Sequence, residues 1–274
     1  MPRTVRSVTS VSALSGLVLL AACLAPVPAL AAKVTDCAKV GLCYCINDEH
    51  KAAINARIDK FRQLIADQRK AGKAVVYLSV PLTSAGGGNF NVNKEVAEAT
   101  KQAIEKRMGA DYIYVFNPAN PDADLPRGAT GTEYMVMWTA VLEGADGMGD
   151  FDAAYFAGPQ DFARYFGFDG NNDMAKLDAY FDKREKSDPD FAKAVQNGLT
   201  RPAFRKYYAL RASSNVSRGA HDEWNIFRLV NDKRRADGKY GTPAQIPIIF
   251  DGQPVAPPHH EAPVSEGYVG KCPV

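Results

Sequence analysis

Three short apolar runs, each stopped by a proline, constrain the fold of this chain more than any other feature of its sequence. Residues 74–80 read Ala-Val-Val-Tyr-Leu-Ser-Val before Pro81, residues 112–116 end at Asn117-Pro118, and residues 151–157 end at Gly158-Pro159. Apolar runs of this length without polar alternation suit strands covered on both faces, as in a parallel sheet. Helical patterns lie between them. Residues 48–71 place Ile54, Ile58, Phe61 and Ile65 on one face and stop at Gly72, and further helical patterns cover 93–108 and 134–142. Strands alternating with helices predict an α/β domain with a mostly parallel sheet and helices on both faces.

The aromatic, β-rich run at 204–212 supplies an expected fourth strand and residues 246–250 a fifth, completing a Rossmann-like five-stranded sheet. Residues 160–200 show only helical patterns, at 161–166, 174–185 and 191–197, and are expected to be a helical insertion. The chain therefore divides into a leader (1–31), a Cys-containing segment and helix (32–73), an α/β domain (74–252) and a Pro-rich, extended tail (253–274). There is no internal repeat, although Tyr77-Leu-Ser-Val-Pro81 and Tyr155-Phe-Ala-Gly-Pro159 look alike locally.

The leader carries Arg3 and Arg6, an apolar run over 11–24, and a small-x-small cleavage signal at Ala29-Leu30-Ala31. The chain is expected to be exported, to the periplasm or beyond. Leu20-Ala21-Ala22-Cys23 also has the form of a bacterial lipobox that would lipidate Cys23, but the apolar stretch after it favours cleavage near Ala31. The apolar run is too short for a membrane span. Arg3 and Arg6 are two of 33 basic residues, so the mature chain carries 31 of each sign. That neutral balance argues against polymeric nucleic acid, whose binding relies on a basic face.

Without the leader, four cysteines remain, Cys37, Cys43, Cys45 and Cys272, an even set in an oxidising compartment. A Cys43–Cys45 bridge would close a very tight ring, so Cys272 is expected to pair with one of the N-terminal three and pin the termini together. A metal knot of Cys37, Cys43 and Cys45 lacks a clear fourth ligand. No cofactor motif is present: Gly86-Gly87-Gly88 is not followed by the Lys and Ser/Thr of a P-loop, and the turn Thr83 to Asn93 reads either as a ligand frame or as a surface loop.

Ser217-Arg218-Gly219-Ala220-His221-Asp222-Glu223 opens a helical pattern that runs to about Arg235. A Gly-bearing turn at a strand's carboxyl end lets a ligand approach the backbone, and the first helical amides point at it. Glu223, one turn in, is a carboxylate beside that turn. The same letters also make a plain helix start, with Ser217 as cap. Ser79, Pro81 and Asn117 at the earlier strand ends are further candidate contacts. His221 is either a proton donor that titrates near neutrality or an exposed first-turn residue. Asp222 and Glu133 read as acids favoured at helix starts. The loop Asp146 to Asp152 lacks EF-hand spacing and reads as a polar turn. His259-His260-Glu261 lies in the tail and carries no metal expectation. Trp138 and the aromatics from Tyr155 to Phe168 read as core, whereas Trp224 would either pack beneath the site or stack a ligand.

In this order, the strand ends and the Ser217 segment resemble the nucleoside 2-deoxyribosyltransferase-like superfamily of Rossmann-like proteins. That family opens with a strand reading roughly Tyr-x-Ala-Gly-Pro, continues to one ending in Asn-Pro or Asp-Pro, and later has a strand that leads into Ser-x-Gly-(Thr/Ala)-x-x-Glu. The corresponding pieces are Tyr77 to Pro81, Asn117-Pro118, and Ser217, Gly219, Ala220 and Glu223, spread over residues 75–225 around the insertion. The resemblance implies that Glu223 attacks the anomeric carbon of a nucleoside or nucleotide and leaves a glycosyl-enzyme ester. It also implies that Ser217 and Gly219 line the sugar or phosphate pocket. Outside the cytoplasm, where free bases are scarce, hydrolysis is favoured over transfer. Val80 stands where the family has glycine, and export separates the chain from cytoplasmic nucleotides. A non-catalytic exported module that keeps the fold and binds a small ligand or a protein is the alternative.

Overall fold

The computed structural model describes residues 32–238, 245–265 and 267–273, so the expected leader, with Cys23 and the cleavage signal at Ala29-Leu30-Ala31, lies outside the described residues. The chain opens with an antiparallel hairpin, β1 (Lys33–Cys37) and β2 (Cys43–Asn47), in which Cys37 faces Cys43. Alternation along β2 buries Tyr44 and Ile46 and leaves Cys43 and Cys45 only partly covered on the other side. There Cys43 bonds Cys37, and Cys45 bonds Cys272. Cys272 thus takes one of the N-terminal three, as expected. With all four cysteines oxidised, the metal knot does not form.

Next come α1 (Lys51–Lys70), which buries Ile54, Ile58, Phe61 and Ile65, then β3 (Ala74–Ser79), α2 (Phe90–Met108), β4 (Ile113–Phe116), α3 (Gly131–Glu143) and β5 (Ala153–Phe156). A helical run follows, α4 (Pro159–Phe166), α5 (Asp173–Ser187), α6 (Pro189–Gln196) and α7 (Arg201–Leu210). The chain continues through α8 (Arg218–Asp237), β6 (Ile248–Phe250), β7 (Gln253–Pro254) and α9 (Pro257–His260). The sheet order is β4-β3-β5-β6-β7, parallel from β4 to β6 and antiparallel only at β7. This is the Rossmann-like α/β fold expected from the strand–helix alternation.

Two elements differ from expectation. Residues 204–212 do not form a strand, so the Ser217 segment follows a helix, α7, and not the carboxyl end of a strand as expected. Thr200 caps α7 through a hydrogen bond from Ala203 N, Pro202 sits in the first turn, and Phe204, Tyr207 and Tyr208 are buried while Arg201, Lys206 and Leu210 are exposed. Spacing of three and four residues is a helical face, and the aromatic composition concealed it. The helical insertion therefore extends to residue 210, and the fifth strand is β7, folded back on β6. The tail is likewise not wholly extended, because it contributes β7 and the short α9.

The period of two along β3 divides the core. Val75 and Tyr77 join the cluster packed against α1, α3 and α8, whereas Val76 and Leu78 join the one under α2 and the α4–α7 helices. Ser79 shares the parity of Tyr77, so both face α8. No helix among the described residues is long and apolar enough to cross a membrane.

Candidate functional site

The start of α8 is set by Ser217, whose extended backbone and side-chain oxygen, accepting from Ala220 N at 3.3 Å, cap the first turn. Ala220, Glu223, Phe227 and Val230 then form a buried stripe at helical spacing. Glu223 is 7 % exposed. Tyr77 Oη, from β3, donates to Glu223 Oε1 at 2.7 Å. Burial drives the Glu223 carboxyl up to about 7, opposed by Ser79 and by the Tyr77 hydrogen bond, while the charge of Asp222 adds to the rise. Ser79 Oγ is buried with no well-formed hydrogen bond of its own, so it faces the carboxylate without fully satisfying it. Burial, and then the Glu223 charge, raise the Tyr77 phenol well above its ordinary range, which keeps it a donor.

Glu223 lines a cavity of about 600 Å³ at the carboxyl ends of the parallel strands. Val80 closes it on the β3 side and Asn120 beyond β4. The starts of α2, α3 and α8 contribute Phe90 and Lys94, Gly131 and Tyr134, and Ser217 to Ala220. The floor includes Trp138, which stacks on Phe61 with centroids 5.2 Å apart. The volume falls within the usual range for a small-molecule site, and the walls combine aromatic surface with a few polar groups. Lys94 and Arg218 bring positive charge to the walls, and three helix starts add to it.

Ser217, Gly219 and Ala220 line this cavity with Glu223. A Cβ added to Gly219 would fit, in ordinary contact with Met135 Sδ at 3.6 Å. Ser79 lies behind Glu223 rather than on the wall, and Pro81 is buried at the strand end without lining the cavity. Asn117 belongs to a neighbouring hollow of about 350 Å³, where its amide donates to Glu98 at 3.4 Å and its Oδ1 accepts from Ala119 N. His221 lines neither. It borders a separate hollow of about 300 Å³ with Trp224, which packs edge-on against Phe156. There His221 Nε2 donates to the Asn215 carbonyl at 2.9 Å, and Ser265 Oγ lies 3.0 Å from Nδ1. As a proton donor to a group bound at Glu223, His221 is on the wrong side of α8.

Other acids have structural partners. Glu133 completes the cap of α3, accepting from Thr130 and from Asn47 N; burial opposes its ionisation, but these bonds hold its carboxyl below the usual range. Asp152 accepts from Val75 N and pairs with Arg69, and Asp146 closes its own turn onto Met148 N, so the acidic loop is a polar turn. The triple glycine serves packing. Gly87 has φ +99, and a Cβ there would stand 2.1 Å from the Ala203 carbonyl oxygen at the start of α7.

Sequence reasoning missed Tyr77 as a partner of the carboxylate, although its parity with Ser79 was readable. It also missed Lys94, Arg218 and Tyr268 in the cavity wall, and the role of Asp222, which accepts from Gly267 N and Tyr268 N at 2.7 Å each. The site and fold together define a Rossmann-like α/β protein with one buried carboxylate at its strand-end cavity. No protein-family model, curated protein or solved structure matches the chain.

Proposed function

We propose that this protein is an exported enzyme acting on the N-glycosidic bond of a nucleoside or nucleotide, with Glu223 as nucleophile. The observation that carries this reading is the Tyr77–Glu223 pair at 2.7 Å, buried at the wall of an aromatic-lined cavity. Tyr77 holds one carboxylate oxygen. The other attacks the anomeric carbon as the carbon–nitrogen bond breaks, giving a glycosyl ester and a free base that takes a proton from water. Water then cleaves the ester and restores the carboxylate. With a carboxyl titrating at about 7, the nucleophilic form is populated above neutrality, and the Tyr77 hydrogen bond favours that form. The order of the two earlier strand ends and the letters of the Ser217 segment support the substrate class, although a helix, α7, and not a strand leads into Ser217. Export is supported by the leader pattern and by two disulfides, which persist in oxidising compartments.

The test is incubation of the mature protein with a panel of nucleosides and nucleotides, followed by chromatography for free base. Base release that disappears in Glu223→Gln is the expected result. No release by the wild type, or equal release by the variant, overturns the reading. Saturable binding of a nucleoside without base release would instead establish the non-catalytic module, for which a half-protonated Glu223 is a hydrogen-bonding group.

A further inference from the structure

We propose that Tyr268 is a ligand-contacting residue of the Glu223 cavity, set there by a C-terminal segment that the Cys45–Cys272 disulfide anchors. Tyr268 lies 45 residues beyond Glu223 in sequence and belongs to none of the strand ends or helix starts that build the rest of the cavity, yet it forms part of the wall. Its position is over-determined. Asp222, the neighbour of Glu223, accepts from the backbone amides of Gly267 and Tyr268. Arg218 donates to the Gly267 carbonyl and lies over the Tyr268 ring, 4.5 Å from its centroid.

Two glycines make room for this arrangement. A Cβ on Gly267 would stand 2.0 Å from the Arg218 carbonyl oxygen, and one on Gly131 would stand 2.3 Å from the Tyr268 ring. Just beyond, Gly270 N donates to the Cys43 carbonyl and Cys272 N to Thr35 Oγ1, at 2.8 and 3.0 Å, next to the disulfide. The segment is therefore fixed at both ends, with Tyr268 between.

The ring itself is not consumed by the fold. Tyr268 is half-buried and forms part of the cavity wall. A phenol in a cavity wall with Arg218 behind it suits a planar heteroaromatic ring, by stacking and a single hydrogen bond. The sugar side of a ligand would lie nearer Glu223. The choice of a heteroaromatic ligand rests on the nucleoside reading above; the anchoring of the wall does not.

Trp138 and Trp224 are the chain's two tryptophans, and Trp138 is a 5 % exposed cavity residue. In a Trp224→Phe background, acrylamide quenching of Trp138 reports whether the wall stands. Cys45→Ser/Cys272→Ser, and separately Gly267→Ala with both disulfides intact, are expected to raise quenching severalfold. Cys37→Ser/Cys43→Ser, which leaves the segment anchored, is expected to leave it near the parent value. Unchanged quenching in the first two, with native far-ultraviolet circular dichroism, overturns the anchoring.

Equilibrium dialysis with adenosine and with ribose, in a Glu223→Gln background that does not turn the ligand over, then tests the contact. Tyr268→Ala is expected to weaken adenosine about tenfold and leave ribose unchanged, with Tyr268→Phe intermediate. Equal adenosine affinity in Tyr268→Ala overturns the contact. A Glu223→Gln parent that binds no adenosine overturns the nucleoside reading and the contact together, while the quenching comparison still decides the anchoring.

Discussion

The sheet carries two tyrosine–carboxylate pairs at the carboxyl ends of adjacent parallel strands, one on each face. On one face Tyr77 of β3 donates to Glu223; on the other Tyr155 of β5 donates to Asp161, 3.0 Å from each oxygen. Both carboxylates are buried. They differ in what else reaches them. Asp161 also accepts from Gly158 N at 3.1 Å and from the Arg164 guanidinium at 2.9 Å, so it caps α4 and is neutralised. Glu223 has no cation of its own among the described residues, titrates near 7, and opens onto a cavity. The same two side chains are a structural joint where the carboxylate is saturated; where it is left short of partners they are, on the proposed reading, a reactive group.

The largest expected effect separates the two roles outright. Glu223→Gln should reduce base release by on the order of a thousandfold or more, as for loss of a nucleophile, with the melting temperature kept or raised. Asp161→Ala should do the reverse. It strands the Tyr155 hydroxyl and Gly158 N in the interior, a loss of about 2–4 kcal/mol, while turnover per folded molecule stays near wild type. Steady-state rates and urea melts on the same preparations check both, and a catalytic collapse in Asp161→Ala would break the contrast.

Stability against pH gives a second contrast of about 3 kcal/mol. The folded chain holds the Glu223 proton up to about 7, whereas the unfolded chain releases it near 4.5. Between those values the native state binds more protons, so this group makes stability fall as pH rises, and the loss persists above 7. Glu223→Gln should therefore gain on the wild type in urea melts at pH 8 and not at pH 4. Glu133, held below its ordinary range by hydrogen bonds, has the opposite sign. Its contribution is present above the unfolded value and fades as pH falls through the folded one. Equal wild-type and Glu223→Gln stability at pH 8 would mean that Glu223 is not desolvated in solution.

Removing the two phenol hydroxyls is a milder version. Tyr77→Phe deletes a bond that favours the charged carboxylate, so the rise of kcat/KM with pH should move to higher pH and the rate at pH 7 fall about tenfold. Tyr155→Phe should cost about 1 kcal/mol of stability and leave the pH profile in place. Coincident profiles for wild type and Tyr77→Phe would remove Tyr77 from the mechanism.

How much of this was legible follows from which interactions are local. β3 could be read because Val75 to Leu78 are buried on both faces, which needs an unbroken apolar run. The cap at Ser217 and the acid at Glu223 are one-turn patterns and hold as read, but they follow a helix and not the expected strand. α7 was misread because Phe204, Tyr207 and Tyr208 favour a strand by composition, while their spacing, which decides, is helical. The Tyr268 wall had no local signal. It is placed by Asp222 and by a disulfide that spans 227 residues, and nothing around Tyr268 encodes either partner.

The smallest expected effect concerns His221, and it tests the geometry of α8 itself. Residues two apart on an α-helix are separated by about 200° of rotation, so His221 and Glu223 leave opposite sides of α8. The side chains agree: His221 is bound to Asn215 and Ser265 beside one hollow, and Glu223 to Tyr77 at another. His221→Ala removes two partly exposed hydrogen bonds, a loss of about 1 kcal/mol or less, and should change kcat/KM less than about twofold, with no limb of the pH profile lost. A loss of tenfold or more, rescued by added imidazole, would place His221 in the reaction and require α8 to turn or shift when ligand binds.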